Sequence, residues 1–327
     1  MYQLALFGAG RIGKVHASTV AKHPQCRLSA VVDVNAEAAQ ALATQYGARV
    51  ARAEEVFADK TIDGILICSA TNTHADLIEA GARAGKVIFC EKPIDLGLER
   101  IQTCLNVVAE HKAKLFVGFN RRFDRNFRQL KESLAAGEIG KPELLIITSR
   151  DPGPPPISYI QVSGGLYKDM MIHDLDMITW LMDEMPIAIS AHGSCMVDPE
   201  IGQAGDVDTA TVTLEFASGA LGIITNSRRT SYGYDQRIEV HGDNGMLQAG
   251  NILENTVVKS NPDGVKGAKP VYFFLERYMD SYAKELEAFM SIFDGAEPEV
   301  DGSAGERSLR LAEAALESLR TGVKVRL

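Results

Sequence analysis

Gly8-Ala9-Gly10-Arg11-Ile12-Gly13 follows directly on the apolar run Leu4-Ala5-Leu6-Phe7, and Asp33 closes the next apolar run, Leu28 to Val32. A strand, a G-x-G-x-x-G turn, a helix and an acidic residue 20 positions beyond Gly13 make up the fingerprint of a dinucleotide-binding βαβ unit. Gly8 permits the tight turn, Gly10 lets backbone approach a pyrophosphate, and Gly13 lets helix and strand pack closely. The pyrophosphate would rest on the N–H groups of Arg11, Ile12 and Gly13 at the helix start, where the dipole favours negative charge. Asp33 stands where a carboxylate accepts hydrogen bonds from the adenosine ribose and repels a 2′-phosphate. Val34 and Asn35 follow it, with no arginine, so NAD is expected rather than NADP. Asp33 is also placed to cap a helix starting near Ala36, and the residues alone leave both roles open.

Outward from this turn, short apolar runs alternate with amphipathic stretches. The runs are Gln3–Phe7, Leu28–Asp33, Gly64–Ala70, Val87–Glu91 and Lys114–Phe119; the helical stretches include Ala36–Tyr46, Ala75–Ala84 and Leu98–His111. Continuous apolar strands alternating with helices predict a parallel sheet covered on both faces, an α/β Rossmann domain. Near residue 121 the pattern changes. A helix over Phe123–Ala136, a strand over Glu143–Ser149, a proline-rich loop at Asp151–Pro156 and a helix over Leu166–Met182 are expected. From Ile187 to Val258 the strands alternate polar and apolar, as in Thr209 to Phe216, with turn signals at Ser218-Gly219 and Asp243-Asn244-Gly245. That pattern predicts an α+β domain with a large, mostly antiparallel open sheet. Two helices, Glu276–Phe293 and Ala304–Thr321, end the chain. The expected domains are therefore 1–121 for the cofactor and 122–327 for substrate and oligomerisation. The last helix is free to pack on either.

At 327 residues, 46% hydrophobic and 24% charged, the chain has the length of two globular domains. No apolar run approaches the roughly 20 residues of a membrane span. No signal-peptide pattern opens it. Its five cysteines form no C-x-x-C pair, so a reducing cytoplasm is expected, with neither a disulfide framework nor a cysteine-rich zinc site. A net charge of −9 argues against a nucleic-acid surface.

Ligands of doubly wound sheets bind at the carboxyl ends of strands. Two more such ends, Ser69-Ala70-Thr71-Asn72-Thr73-His74 and Cys90-Glu91-Lys92-Pro93, should line the cleft near the nicotinamide. Ser69, Ala70, Asn72, His74, Glu91 and Lys92 thus join Gly8 to Gly13, Asp33 and Val34 as candidate cofactor residues. The first of these turns also reads as a plain helix cap. Chemistry is signalled further on, at Gly164-Gly165-Leu166-Tyr167-Lys168-Asp169-Met170-Met171-Ile172-His173-Asp174-Leu175-Asp176. On one continuous helix Asp169, His173 and Asp176 would share a face, opposite an apolar stripe of Met171, Leu175, Ile178 and Met182. A histidine base with a supporting aspartate suits removal of an alcohol proton. A cation such as Lys92 would stabilise the developing alkoxide. An aspartate and a histidine four apart are equally common as surface decoration. No metal is signalled, since His173 and Asp176 alone are too few ligands.

At these residues the chain resembles the Gfo/Idh/MocA family of NAD(P)-dependent sugar and polyol dehydrogenases, nearly end to end. The likeness rests on Gly8 to Gly13 with His16, on Glu91-Lys92-Pro93, on Gly118-Phe119-Asn120-Arg121-Arg122-Phe123-Asp124 and on Gly164–Asp176. Within the family it is most similar to the inositol-oxidising branch, through Val162–Leu166, Gly205–Ala210, Asn226–Arg229 and Tyr232–Arg237. The resemblance implies a catalytic Lys92, Asp169 and His173, a cis Lys92-Pro93 bond, and contacts from Arg122, Asp176 and Tyr232 to a small polyol, an inositol. It also implies a homo-oligomer, a tetramer built on the second-domain sheet. Met170 departs from the polar residue of inositol enzymes and leaves stereoisomer preference open. Three rival readings stay open: a related sugar or polyol dehydrogenase, an NAD-using glycosidase, and an NAD-sensing regulator.

Overall fold

Leu4, Ala5 and Leu6 are wholly buried in succession, as a strand covered on both faces requires. In the computed structural model, which describes residues 1–327, they lie in β1 (Tyr2–Phe7). There follow α1 (Arg11–Lys22), β2 (Cys26–Val32), α2 (Ala36–Tyr46), β3 (Arg49–Val50), α3 (Ala53–Ala58), β4 (Gly64–Ile67), α4 (His74–Arg83), β5 (Val87–Glu91), α5 (Leu98–Glu110) and β6 (Leu115–Gly118). The sheet order is β3-β2-β1-β4-β5-β6, with every neighbouring pair parallel. This is the doubly wound order, whose reversal between β1 and β4 opens a crevice at the strands' carboxyl ends.

Beyond β6, Asp124 accepts hydrogen bonds from the N–H groups of Asn126 and Phe127 and so starts α6 (Arg125–Ala135). Next come β7 (Pro142–Arg150), α7 (Ile157–Ser163), α8 (Gly165–Asp169), α9 (Ile172–Met182), β8 (Pro186–Ser194), α10 (Pro199–Gln203), β9 (Thr209–Phe216), β10 (Leu221–Ser227), β11 (Asp235–Gly242), β12 (Gly245–Ala249), β13 (Lys259–Asn261), β14 (Gly264–Lys266) and α11 (Phe274–Arg277). The chain ends with α12 (Met279–Met290), α13 (Gly302–Thr321) and β15 (Val325–Arg326). The second sheet runs β12-β11-β7-β10-β9-β8-β15. Only β7 and β10 pair in parallel; the other neighbours are antiparallel. Along β9, Ala210, Val212, Leu214 and Phe216 are buried while Thr211 and Thr213 are exposed. One face of this sheet is therefore core, where α6 and α9 pack.

Two compact units result: Met1–Phe123 with Asp280–Leu309, and Asp124–Met279 with Arg310–Leu327. Where the sequence pattern predicts one change near residue 121, the chain returns to the first unit for residues 280–309. The last helix divides between the units at Leu309 and Arg310. Inside the first unit the returning segment is well anchored. Val117 N–H donates to the Val300 carbonyl at 2.8 Å, and Phe289 packs edge-on against Phe89 and Phe116. No helix is long and apolar enough to cross a membrane.

The expected single helix over Leu166–Met182 is two helices. Met171 N–H reaches back to the Leu166 carbonyl at 2.8 Å, and Asp174 N–H then starts afresh on Met171 at 2.8 Å. The restart is fixed by Asp174, wholly buried, whose carboxylate accepts from Ser149 Oγ at 2.6 Å and Asn226 Nδ2 at 2.8 Å. Asp169 therefore ends α8 and His173 opens α9, rather than both riding one straight face.

Candidate active site

The glycine turn has the shape its sequence requires. Gly8 has φ +98°, a conformation open to glycine, and a Cβ there would lie 2.4 Å from the Cys68 carbonyl oxygen. A Cβ on Gly13 would lie 1.9 Å from the Gly8 oxygen, so α1 packs on the turn only because residue 13 has no side chain. Beside Gly10, by contrast, a Cβ would meet no protein atom within 4 Å. Gly10 is the N-cap of α1 and supplies no side-chain acceptor, and the first turn holds no acidic residue. Open space over uncapped N–H groups fits a pyrophosphate.

Asp33 settles its alternative. Its Oδ2 accepts from Ala9 N–H at 2.6 Å and its Oδ1 from Asn35 N–H at 2.7 Å. The cap of α2 is Asn35, whose Oδ1 accepts from Ala38 N–H at 3.0 Å. Asp33 thus ties the glycine turn to the end of β2. Each oxygen keeps a lone pair for a ribose hydroxyl. Val34 beside it is fully exposed.

The other strand ends of this unit divide into exposed and inward-turned residues. Ala70 and Asn72 are exposed and Ser69 half-buried. Ser69 Oγ lies 2.7 Å from Thr73 Oγ1. His74 turns inward: Nδ1 is 2.8 Å from the Pro93 carbonyl and Nε2 3.1 Å from that of Ser69. Burial lowers its pKa, against the two carbonyls that favour protonation. His74 is placed to brace these two turns, not to present a ring to a cofactor. The Lys92-Pro93 bond is cis, and Lys92 is half-buried. Arg122 lies in the short 3₁₀ turn Asn120–Phe123 and is 6% exposed.

Glu91 also faces inward, with Oε1 2.7 Å from His16 Nε2. Glu285, wholly buried on α12, completes a cluster whose ligand-type atoms all lie within 4.8 Å of one another. Both Glu285 oxygens lack a hydrogen-bond partner. Burial, then the charge of Glu91, pushes its carboxyl well above the usual range. The folded state thus holds a proton that the unfolded chain releases, and it loses stability as pH rises above the ordinary carboxylate pKa. Glu285→Gln removes that titration. At pH 8 the variant is expected to melt about 2–4 °C higher, the shift ~1 kcal/mol gives in a domain of this size, and the gain should shrink towards pH 5. Melting curves at the two pH values check this; a variant less stable at both would mean the carboxylate is charged and paired.

In the second unit, Asp169 Oδ1 accepts from the Tyr159 hydroxyl at 3.0 Å, and Asp169 Oδ2 lies 3.7 Å from Arg228 Nη1. His173 is half-buried, while Asp176 is 1% exposed. The expected open polar face is therefore narrower than predicted: α9 is buried nearly all round, and Asp176 lies inside it. Gly165, with φ +78°, packs against Asp206, whose two oxygens both accept from Leu166 N–H at 3.0 Å. Tyr232 is 41% exposed, but its hydroxyl donates to Asp235 Oδ2 at 2.7 Å and accepts from Arg150 Nη1 at 3.0 Å. Burial raises the Asp235 pKa, but hydrogen bonds from Arg237, Tyr232 and Asn251 outweigh it and hold it below the usual range. In this structure Tyr232 is part of an ion-pair network at the start of β11.

Sequence reasoning missed Asp174, Arg228, Asp206 and Glu285 as site-shaping groups. A signal existed for Arg228: Ile224 and Asn226 are the inward positions of β10, and the same alternation turns residue 228 inward.

Residues 2–119 match the family described as an oxidoreductase family with an NAD-binding Rossmann fold, and residues 127–248 match the GFO/IDH/MocA C-terminal domain. The chain is 48% identical over 318 residues to an inositol 2-dehydrogenase of Rhizobium meliloti, covering 97% of this chain and 96% of that one. It is 47% identical over 328 residues to a myo-inositol 2-dehydrogenase of Thermotoga maritima, covering 99% and 98%. A crystal structure of scyllo-inositol dehydrogenase from Lactobacillus casei, with bound NAD(H) and scyllo-inositol, superposes with a TM-score of 0.92 at 28% identity, covering 100% and 99%.

Proposed function

This chain belongs to the GFO/IDH/MocA oxidoreductase family, and from that premise we propose that it is an NAD-dependent inositol 2-dehydrogenase, oxidising the C2 hydroxyl of myo-inositol to the 2-keto product. NAD, when bound, accepts the hydride that leaves the carbinol carbon. The turn Gly8–Gly13 holds its pyrophosphate and Asp33 its adenosine ribose. His173 takes the hydroxyl proton on its imidazole, Asp169 supports the imidazolium that forms, and the Lys92 ammonium stabilises the alkoxide oxygen. Arg122, Asp176 and Tyr232 are the further candidates for contact with the ring hydroxyls. Tyr232 is already engaged within the protein by Asp235 and Arg150.

The observation that carries this reading is the combination, in one chain, of an open dinucleotide turn with Asp169 at the end of α8 and His173 at the start of α9. We infer further that the protein works in the cytoplasm as a homo-oligomer, a tetramer, assembled on the exposed face of its second sheet.

The test is NADH formation by the purified protein with a panel of inositols and aldoses, first with NAD and then NADP. NADH is expected with myo-inositol, and NADP should be used at least about tenfold less well, the cost of placing a 2′-phosphate against Asp33. An NAD-using glycosidase would accumulate no NADH, and a regulator would bind NAD without turnover. Either result overturns the proposal.

A further inference from the structure

Resting on the assignment of Asp169 and His173 above, we propose that Arg228 is a positioning residue for that pair. Its charge, set between Asp169 and Asp206, lowers the pH at which His173 becomes a free base.

Arg228 follows β10 directly. Its N–H donates to the Asp208 carbonyl at 2.8 Å, and its side chain, 1% exposed, is one of the largest fully buried in the chain. A guanidinium so placed is permanently charged and costly to bury without anions. Two are present. Nη1 is 3.7 Å from Asp169 Oδ2 and Nη2 is 3.7 Å from Asp206 Oδ2. These are ion pairs at a distance beyond hydrogen bonding, so their effect is electrostatic and reaches both carboxylates. Asp206 grips the start of α8 through Leu166 N–H, and Asp169 is the last residue of α8. The cation therefore stands between carboxylates at the two ends of one five-residue helix.

The other titratable groups nearby do not compete. Tyr159 donates its hydroxyl to Asp169. Burial pushes Tyr167, near Asp206, up to about 12, and raises the Cys195 thiol, so both are neutral. The Asp208 carboxylate is engaged by the N–H groups of Met196, Val197 and Asp198. The Arg228 cation, shared with the Asp206 anion, thus bears on Asp169, while the neighbouring Lys168 pairs with Glu313 at 3.1 Å.

The chemistry follows from these charges. A base must be neutral to take a proton, yet a lone carboxylate beside an imidazole raises its pKa. A fixed cation behind that carboxylate offsets part of its pull. Removing the cation should therefore make His173 more basic and move the acid limb of kcat/KM upward.

The pH profile of kcat/KM for myo-inositol oxidation tests this in three variants. Arg228→Gln should move the acid limb about half a pH unit or more to higher pH and lower kcat about tenfold, with NAD affinity unchanged. Arg228→Lys keeps the charge and should keep the limb within about 0.2 unit of wild type, while losing rate because the fork is gone. Asp206→Asn leaves an acceptor for Leu166 N–H and should move the limb the opposite way, to lower pH; it decides the matter should Arg228→Gln fail to fold. A slower Arg228→Gln with an unmoved limb, a limb moved equally by Lys and Gln, or an unmoved limb in Asp206→Asn would make Arg228 a packing residue and overturn the proposal. Loss of turnover in His173→Ala alongside such a result would leave the base assignment standing; retained turnover there would remove the assignment itself.

Discussion

His173→Ala should lower kcat for myo-inositol oxidation by roughly 10²–10⁴, the scale on which a positioned general base acts. His173 is half-buried at the second position of α9, so its removal leaves no large cavity. The backbone of the restart is held by Asp174 on Ser149 and Asn226, not by the imidazole. Folding should therefore survive. NAD affinity should change little, because the dinucleotide turn and Asp33 belong to the other unit. Steady-state kinetics with a binding titration of NAD separate the two quantities. Undiminished turnover would mean that another group accepts the proton, and a parallel loss of NAD affinity would mean that the substitution disturbs more than the base.

Gly13→Ala and Gly10→Ala should fail in different ways, although both alter the same turn. At Gly13 the new methyl would meet the Gly8 oxygen at 1.9 Å and its carbonyl carbon at 3.0 Å. Both are backbone atoms, which no rotamer change can clear. The helix must move off the turn, so a loss of roughly 2–4 kcal/mol in stability is expected, with NAD affinity falling about 100-fold or more. At Gly10 the methyl meets no protein atom within 4 Å, and the φ of −72° suits alanine. Stability should therefore stay within about 0.5 kcal/mol. NAD affinity should still fall about tenfold or more, because the methyl enters the space where the pyrophosphate approaches the backbone. Thermal melts with and without NAD distinguish the two. Equal NAD affinity in Gly10→Ala and wild type would place the pyrophosphate elsewhere.

The parallel-sheet unit was legible because its signals are local. Ala36–Tyr46 and Val87–Glu91 appear in the structure with the boundaries that pattern predicts, since caps, apolar runs and glycines act within a few residues. The second unit depends on distant partners. A helical pattern runs unbroken through Met170 and Met171, and the restart coincides with the buried Asp174, held by the distant Ser149 and Asn226. The return of residues 280–309 to the first unit was illegible for the same reason: an amphipathic helix declares an apolar face, not what covers it. Glu285 on that segment is wholly buried beside Glu91, a partner nearly two hundred residues away in the sequence. The candidate residues show the same division. Gly13 meets the Gly8 carbonyl five residues back, whereas Asp169 has the Arg228 guanidinium, nearly sixty residues later, beside it.

Oxidation of myo-inositol carrying deuterium at C2 tests the central claim most directly. If hydride passes from that carbon to NAD, the NADH formed gains one mass unit, and kcat/KM falls where transfer limits the rate. Unlabelled NADH from the labelled substrate, or no NADH at all, would contradict it.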